Sequence, residues 1–284
     1  MEPTDTVFAV NCSILFTELP LLARPAAARA AGFHAVEFWW PFDEPSPPAA
    51  ELAELAAAID DAEVELTSFG FDHGDLASGD RGLFASEARA GRLRRNMDAV
   101  VEVGLLTGCR TFVGLVGKPD APGDAARDIA LRSMAEAAQT VAQIGGEIVV
   151  EPISGDLDYL LRTLDETAAF IDEVRAATGT DDLGILADLH HQCRNEVDPA
   201  AALRRHVRSI RYLQLADVPG RGVPGSGTAP LAGLLGLLRA GGYDGPVGLE
   251  FTPGPEGTIA DLARFHEWAA NLPPTPASPR AGIR

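Results

Sequence analysis

LGILAD, residues 183–188, is an apolar run that stops on a single aspartate. Its length and composition fit a strand buried on both faces, as in a parallel sheet covered by helices. Reading outward, VFAVNC (7–12), AVEFW (35–39), VELTSF (64–69), TFVGLV (111–116) and EIVVE (147–151) precede it, and IRYLQ (210–214) and VGLEF (247–251) follow, which makes eight strand candidates. Longer segments of helical period lie between them. Leu93, Met97, Val100 and Val101 fall on one face, as do Leu164, Ala168 and Ile171 behind a capping box offered by Thr163 and Glu166. Gly32, Gly104, Gly145 and Gly241 stand where helices are expected to stop. Strict strand-helix alternation predicts an α/β protein, and eight repeats favour closure into a (β/α)8 TIM barrel, a single domain over residues 1–271. No GxGxxG follows the first strand, which removes the dinucleotide-binding form of an open doubly wound sheet. The proline-rich tail LPPTPASPRAGIR (272–284) lacks an apolar face and is expected to be disordered.

The 284 residues carry 23 Lys and Arg against 41 Asp and Glu, a net charge of -18. Such a surface repels phosphate backbones and anionic lipid, so neither nucleic acid nor membrane is an expected partner. Cys12, Cys109 and Cys193 are odd in number and form no CxxC, which suits reduced thiols in a cytosol. The opening MEPTDTVFAV has no basic n-region, and no stretch approaches the roughly 18 apolar residues of a membrane span. The expected setting is soluble and cytoplasmic.

The last four strand candidates each end in a residue with an oxygen to offer: Glu151, Asp188, Gln214 and Glu250. C-terminal strand ends converge on one pocket in a barrel, so residues far apart in sequence become neighbours. Three carboxylates that close repel one another, and a bound dication keeps them ionised. With the Gln214 carbonyl facing the ion the set is all oxygen, which favours Mg²⁺ or Mn²⁺ over zinc, with Co²⁺ able to substitute. A polar residue at a strand end is commonplace taken singly. Four in consecutive units are not. His190 and His191 follow Asp188, where an imidazole can bind a substrate hydroxyl or a metal. GDLASGDRG (74–82) is too rich in glycine and charge for a helix and reads as a lid or a long connection. Trp39, Trp40 and Phe42 either line an apolar wall or plug the barrel mouth.

In order and spacing, NCSILFTE (11–18), AGFHAVEFWWPF (31–42), GDLASGDRG (74–82), VEPI (150–153), Asp188 with His191, QLADVPGR (214–221) and GGYDGPVGLEF (241–251) resemble the hydroxypyruvate isomerase family of xylose-isomerase-like TIM barrels. The resemblance runs to about residue 270. It implies metal ligands at Glu151, Asp188, Gln214 and Glu250, proton transfer by Glu151 and Glu250, and substrate contacts from His191, Asn11, Trp39 and Arg221. It also implies interconversion of a hydroxyaldehyde and a hydroxyketone through a cis-enediolate, with no redox cofactor and with homo-oligomerisation open. The chain departs from the family pattern at Gly222 and Val223, where His-Glu is usual, at Thr228, where a glutamate is usual, and in a shortened loop after Glu151. None of these falls on an implied ligand. A keto-sugar epimerase on the same barrel, which returns the proton to the same carbon, and a non-catalytic sugar-binding barrel are the alternatives. A barrel-type apurinic endonuclease would need a histidine-rich zinc cluster and a basic groove, against six histidines and a charge of -18.

Overall fold

Short apolar strands leave their backbone groups one way to be satisfied while buried on both faces, which is pairing on both edges. A computed structural model, which describes residues 6–120 and 123–273, shows that outcome. Strands β1 (Phe8–Asn11), β2 (Ala35–Phe38), β3 (Glu65–Gly70), β4 (Thr111–Gly114), β5 (Glu147–Val150), β6 (Leu183–Asp188), β7 (Ile210–Leu215) and β8 (Val247–Leu249) pair in sequence order. All pairings are parallel, and β1 closes on β8 with Ala9 opposite Gly248. The expected α/β TIM barrel is therefore what forms. Of the tail, residues 274–284 lie outside the described residues. No helix is long and apolar enough to cross a membrane among the described residues.

The outer layer is α1 (Arg24–Ala30), α2 (Ala49–Asp61), α3 (Ala90–Thr107), α4 (Asp124–Ala142), α5 (Leu164–Thr178), α6 (Leu189–Asn195), α7 (Pro199–His206), α8 (Leu231–Ala240) and α9 (Thr258–Ala270). Helix α5 starts at the anticipated box, with Thr163 accepting from the Glu166 N–H while Glu166 reaches back to the Thr163 N–H. Gly32 and Gly145 follow their helices with positive φ, and Gly241 caps α8. Gly104 is different: α3 runs through it to Thr107 and stops at Gly108, in the left-handed conformation. A Cβ on Gly104 would lie 2.7 Å from Ile144 Cδ1 and 2.8 Å from Phe112 Cζ. Close helix-to-barrel packing, rather than helix termination, demands glycine there.

The barrel interior is divided. Val113, Val149, Leu186 and Tyr212, from β4 to β7, form a small inner apolar cluster separate from the main core between strands and helices. Toward β1, β2 and β3 the interior turns polar, with Asn11, Glu37, Thr67 and Ser68 all buried. A register shift on the β2–β3 edge falls between Val36 and Glu37, the kind of irregularity that re-aims a side chain. Gly248 on β8 makes the room, since a Cβ there would lie 2.4 Å from Glu37 Oε2.

Candidate active site

The strand ends open into a cleft of about 410 Å³ lined by Glu151, Gln214 and Glu250 with Trp39, His73, Arg81, His190, His191, Arg194 and Arg221 among others. Asp188 sits beneath it, fully buried, and its two oxygens divide the work. Oδ1 accepts the His190 N–H at 2.8 Å and caps α6, while Oδ2 accepts from Arg221 Nη2 at 3.0 Å. Both histidines thus stand on the first turn of a helix, not in a loop. Trp39 is half-buried on the cleft wall. Its neighbour Trp40 lies instead in the main core, packed edge-on against Phe69 and Phe42. Leu76 and Arg81 bring the 74–82 segment into the cleft as one of its walls, with a short 3-10 turn at Leu76–Ser78.

Glu151, Asp188 and Glu250 are held almost out of water with one guanidinium between them. Arg221 Nη2 touches both Asp188 and Glu250, and Nε donates to the Glu250 carbonyl at 3.0 Å. Burial, then Glu250 and Asp188, push the Glu151 carboxyl well above the usual range. Burial also pushes Glu250 up, to about 8, against the pull of Arg221. Fully ionised, the three carboxyls would carry more negative charge than the one arginine neutralises.

Two further observations bear on which atoms suit a cation. Glu151, Asp188 and His191 bring ligand atoms within 4.8 Å of one another. Yet the His191 Nδ1 accepts the Ser154 backbone N–H at 2.9 Å, so a neutral ring carries its proton on Nε2. That nitrogen, 3.7 Å from Glu151 Oε1 and 3.6 Å from Asp188 Oδ2, is a donor rather than a ligand. Arg221 Nη1 also approaches the same nitrogen, at 3.0 Å, donor against donor in this tautomer, so a neutral ring accepts from either the Ser154 N–H or Arg221 and not from both. Gln214 supplies the contrasting case: its Nε2 donates to Glu37 Oε1 at 2.9 Å, and its Oε1 is buried with no partner. An orphaned carbonyl beside surplus negative charge fits a cation, and the oxygens of Glu151, Asp188, Gln214 and Glu250 are the set that suits one.

Burial lowers the His191 pKa to about 3, outweighing the opposing pull of Asp188. Its folded value lies below its unfolded one, so the unfolded chain binds the extra proton between these pH values, and stability is lost as pH falls from about 6.5 toward 3. Histidine NMR of the metal-free protein is expected to find this ring neutral down to about pH 3. A midpoint near 6.5 would mean that the ring is solvated in the cleft rather than desolvated.

Asn11 is fully buried, and its Nδ2 donates to Glu37 Oε1 at 2.8 Å and to Glu250 Oε2 at 3.2 Å, so it meets the cleft through those acids. Two buried acids carry roles that the sequence reading did not give them. Asp217 accepts the N–H groups of Val218, Gly225 and Ala229, tying down the loop that presents Arg221, itself in the left-handed conformation at φ 54. Gly222, Val223 and Thr228 belong to this loop: Gly222 O accepts the Asp217 N–H, Val223 is buried, and the Thr228 N–H bonds Val218 O. Glu37 is 1% exposed, and burial pushes its carboxyl up while hydrogen bonds from Tyr212, Gln214, Asn11 and Ser68 pull it back. A lone charge inside the otherwise apolar AVEFW was the available signal.

A profile of xylose isomerase-like TIM barrels matches residues 25–268. A Streptomyces coelicolor protein provisionally named a hydroxypyruvate isomerase is 41% identical over 258 residues, covering 89% of this chain and 92% of its own. The 2-oxo-tetronate isomerase of Cupriavidus necator is 34% identical, with 90% of this chain and 95% of that protein covered. Among solved structures, one described as a family 2 AP endonuclease from Brucella melitensis superposes with a TM-score of 0.82 at 27% identity, covering 93% of this chain and 99% of that one.

Proposed function

Because this chain belongs to the xylose isomerase-like TIM barrel family, and within it to the hydroxypyruvate isomerase group, we propose that it is a metal-dependent isomerase interconverting a small 2-hydroxyaldehyde and hydroxyketone acid. Hydroxypyruvate with tartronate semialdehyde is the leading pair, and a related 2-oxo acid such as 2-oxo-tetronate is the next. The observation that carries this reading is the meeting of three buried carboxylates with the orphaned Gln214 Oε1 at one cleft. Glu151, Asp188, Gln214 and Glu250 would hold Mg²⁺ or Mn²⁺, with Co²⁺ a substitute. Such a cation would supply polarisation of the substrate carbonyl and offset the negative charge that deprotonation leaves on the substrate oxygens.

The chain's own groups do the rest. One of Glu151 and Glu250 takes the proton from the hydroxyl-bearing carbon and a glutamate returns it to the neighbouring carbon, while the hydroxyl proton passes to the former carbonyl oxygen. Burial raises the carboxyls of both glutamates, which makes each a stronger base than an exposed carboxylate. The His191 Nε2–H is positioned to donate to a substrate oxygen. Arg221 neutralises charge at the Glu250 side, and Trp39 walls the cleft against water. The Brucella protein carries an endonuclease name. Here the charge of -18 opposes a phosphate backbone, and the cluster found among the described residues holds one histidine, not a histidine-rich zinc set.

The test is turnover in deuterium oxide after chelator treatment. Activity is expected to vanish on metal removal and return with Mg²⁺ or Mn²⁺, with deuterium on the carbon adjacent to the one deprotonated. Label confined to the original carbon would make the protein an epimerase. An absence of C–H exchange with every cation would leave a non-catalytic barrel.

A further inference from the structure

Resting on the reading of this cleft as a cation site, we propose that Glu37 is the positioning residue that makes Gln214 an oxygen donor, by dictating which way its amide points. A glutamine can present either end of its amide. Here Nε2 lies 2.9 Å from Glu37 Oε1, an atom that also accepts from Asn11 Nδ2 at 2.8 Å. In the carboxylate Oε1 can only accept, and Ser68 Oγ lies 3.3 Å from the other oxygen. Turning the Gln214 amide over would set two acceptor oxygens face to face where Glu37 is 1% exposed and water cannot intervene.

Asn11 cannot relieve the constraint by turning itself. Its Oδ1 accepts the Ser13 backbone N–H at 3.0 Å, which leaves Nδ2 for Glu37 and Glu250. The direction of every bond is thus fixed from a backbone N–H that has no alternative polarity. It passes across β1, β2 and β7 and ends on Gln214 Oε1, buried and without a protein partner. Gly248 holds open the space that lets the Glu37 carboxylate lie between these strands. Outer groups that orient a ligand set its affinity as the ligand itself does.

The experiment is calorimetric titration of chelator-stripped protein with Mn²⁺. Glu37→Leu is expected to weaken binding by about tenfold or more, whereas Glu37→Gln, which keeps an acceptor oxygen, stays within about threefold of wild type. In a Gln214→Glu chain both ends of the side chain are oxygens and no direction can be lost, so adding Glu37→Leu should cost less than about twofold. Equal losses in the two backgrounds would mean a merely structural role and overturn the proposal, as would a Glu37→Leu protein that binds normally. Should that variant not fold, neutron diffraction from the wild type decides: deuterons of the Gln214 amide toward Glu37 support the assignment, and deuterons toward the cleft overturn it. A wild type that binds no Mn²⁺ sinks the cation reading itself, whereas a binding wild type with an indifferent Glu37 sinks this inference alone.

Discussion

Glu151→Gln is expected to lower turnover by about three orders of magnitude or more while leaving the metal-free protein at least as stable as wild type. The two halves of this result have one cause. Glu151 is buried beside Glu250 and Asp188, and burial and those two charges push its carboxyl well above the usual range. An amide of the same shape removes that repulsion, so the fold gains where the chemistry loses its proton carrier. Glu250→Gln should behave alike in rate, since its carboxyl too is raised by burial. Steady-state rates at saturating Mn²⁺, paired with thermal melts after chelation, make the comparison. Near-normal turnover in either variant would remove that glutamate from proton transfer. A large fall in melting temperature would make the lost rate uninterpretable as chemistry and contradict the repulsion argument.

Arg221→Met carries the opposite signature. The guanidinium is 21% exposed, against 0% for Asp188 and 5% for Glu250, and it is the cation these acids share. Removing one partner of a buried ion pair costs about 3–5 kcal/mol because the remaining charge is stranded. Methionine keeps the stem and leaves the left-handed backbone as it is, so the change isolates the charge. The loss should be largest at alkaline pH: without Arg221 the folded Glu250 carboxyl holds its proton to still higher pH than the unfolded one, and stability falls as pH rises through that window. Acid should shrink the deficit, and saturating Mn²⁺ should shrink it too. Urea denaturation with and without chelator at two pH values reads all of this. A uniform loss across pH and metal would assign Arg221 to loop packing instead.

Much of this was legible in the chain itself. The eight strands were visible because runs such as LGILAD stop on polar residues, and Glu151, Asp188, Gln214 and Glu250 were visible because they are those stops. What escaped was anything that depends on which way an interior side chain turns. AVEFW gives no in-out alternation, so nothing in it said that Glu37 faces the barrel axis, and the register shift at Val36/Glu37 is a property of the pairing with β3. Gly104 misled for a related reason. Glycine late in a helical pattern reads as a stop, and only the approach of Ile144 and Phe112 shows a packing role. Asp217 could have been noticed as an acid just beyond an apolar strand, but its three backbone partners are set by the course of the loop.

The missing Cβ at Gly248 has its own consequence. Glu37 fills the volume any other residue at 248 would occupy, so these two positions, on strands separated by β1 in the barrel, constitute one heritable unit. Position 248 cannot enlarge while Glu37 stays, so a lineage that enlarges it must first shorten position 37, surrendering the amide arrangement above it. Epistasis of this kind ties the interior filling of the barrel to the chemistry at its mouth.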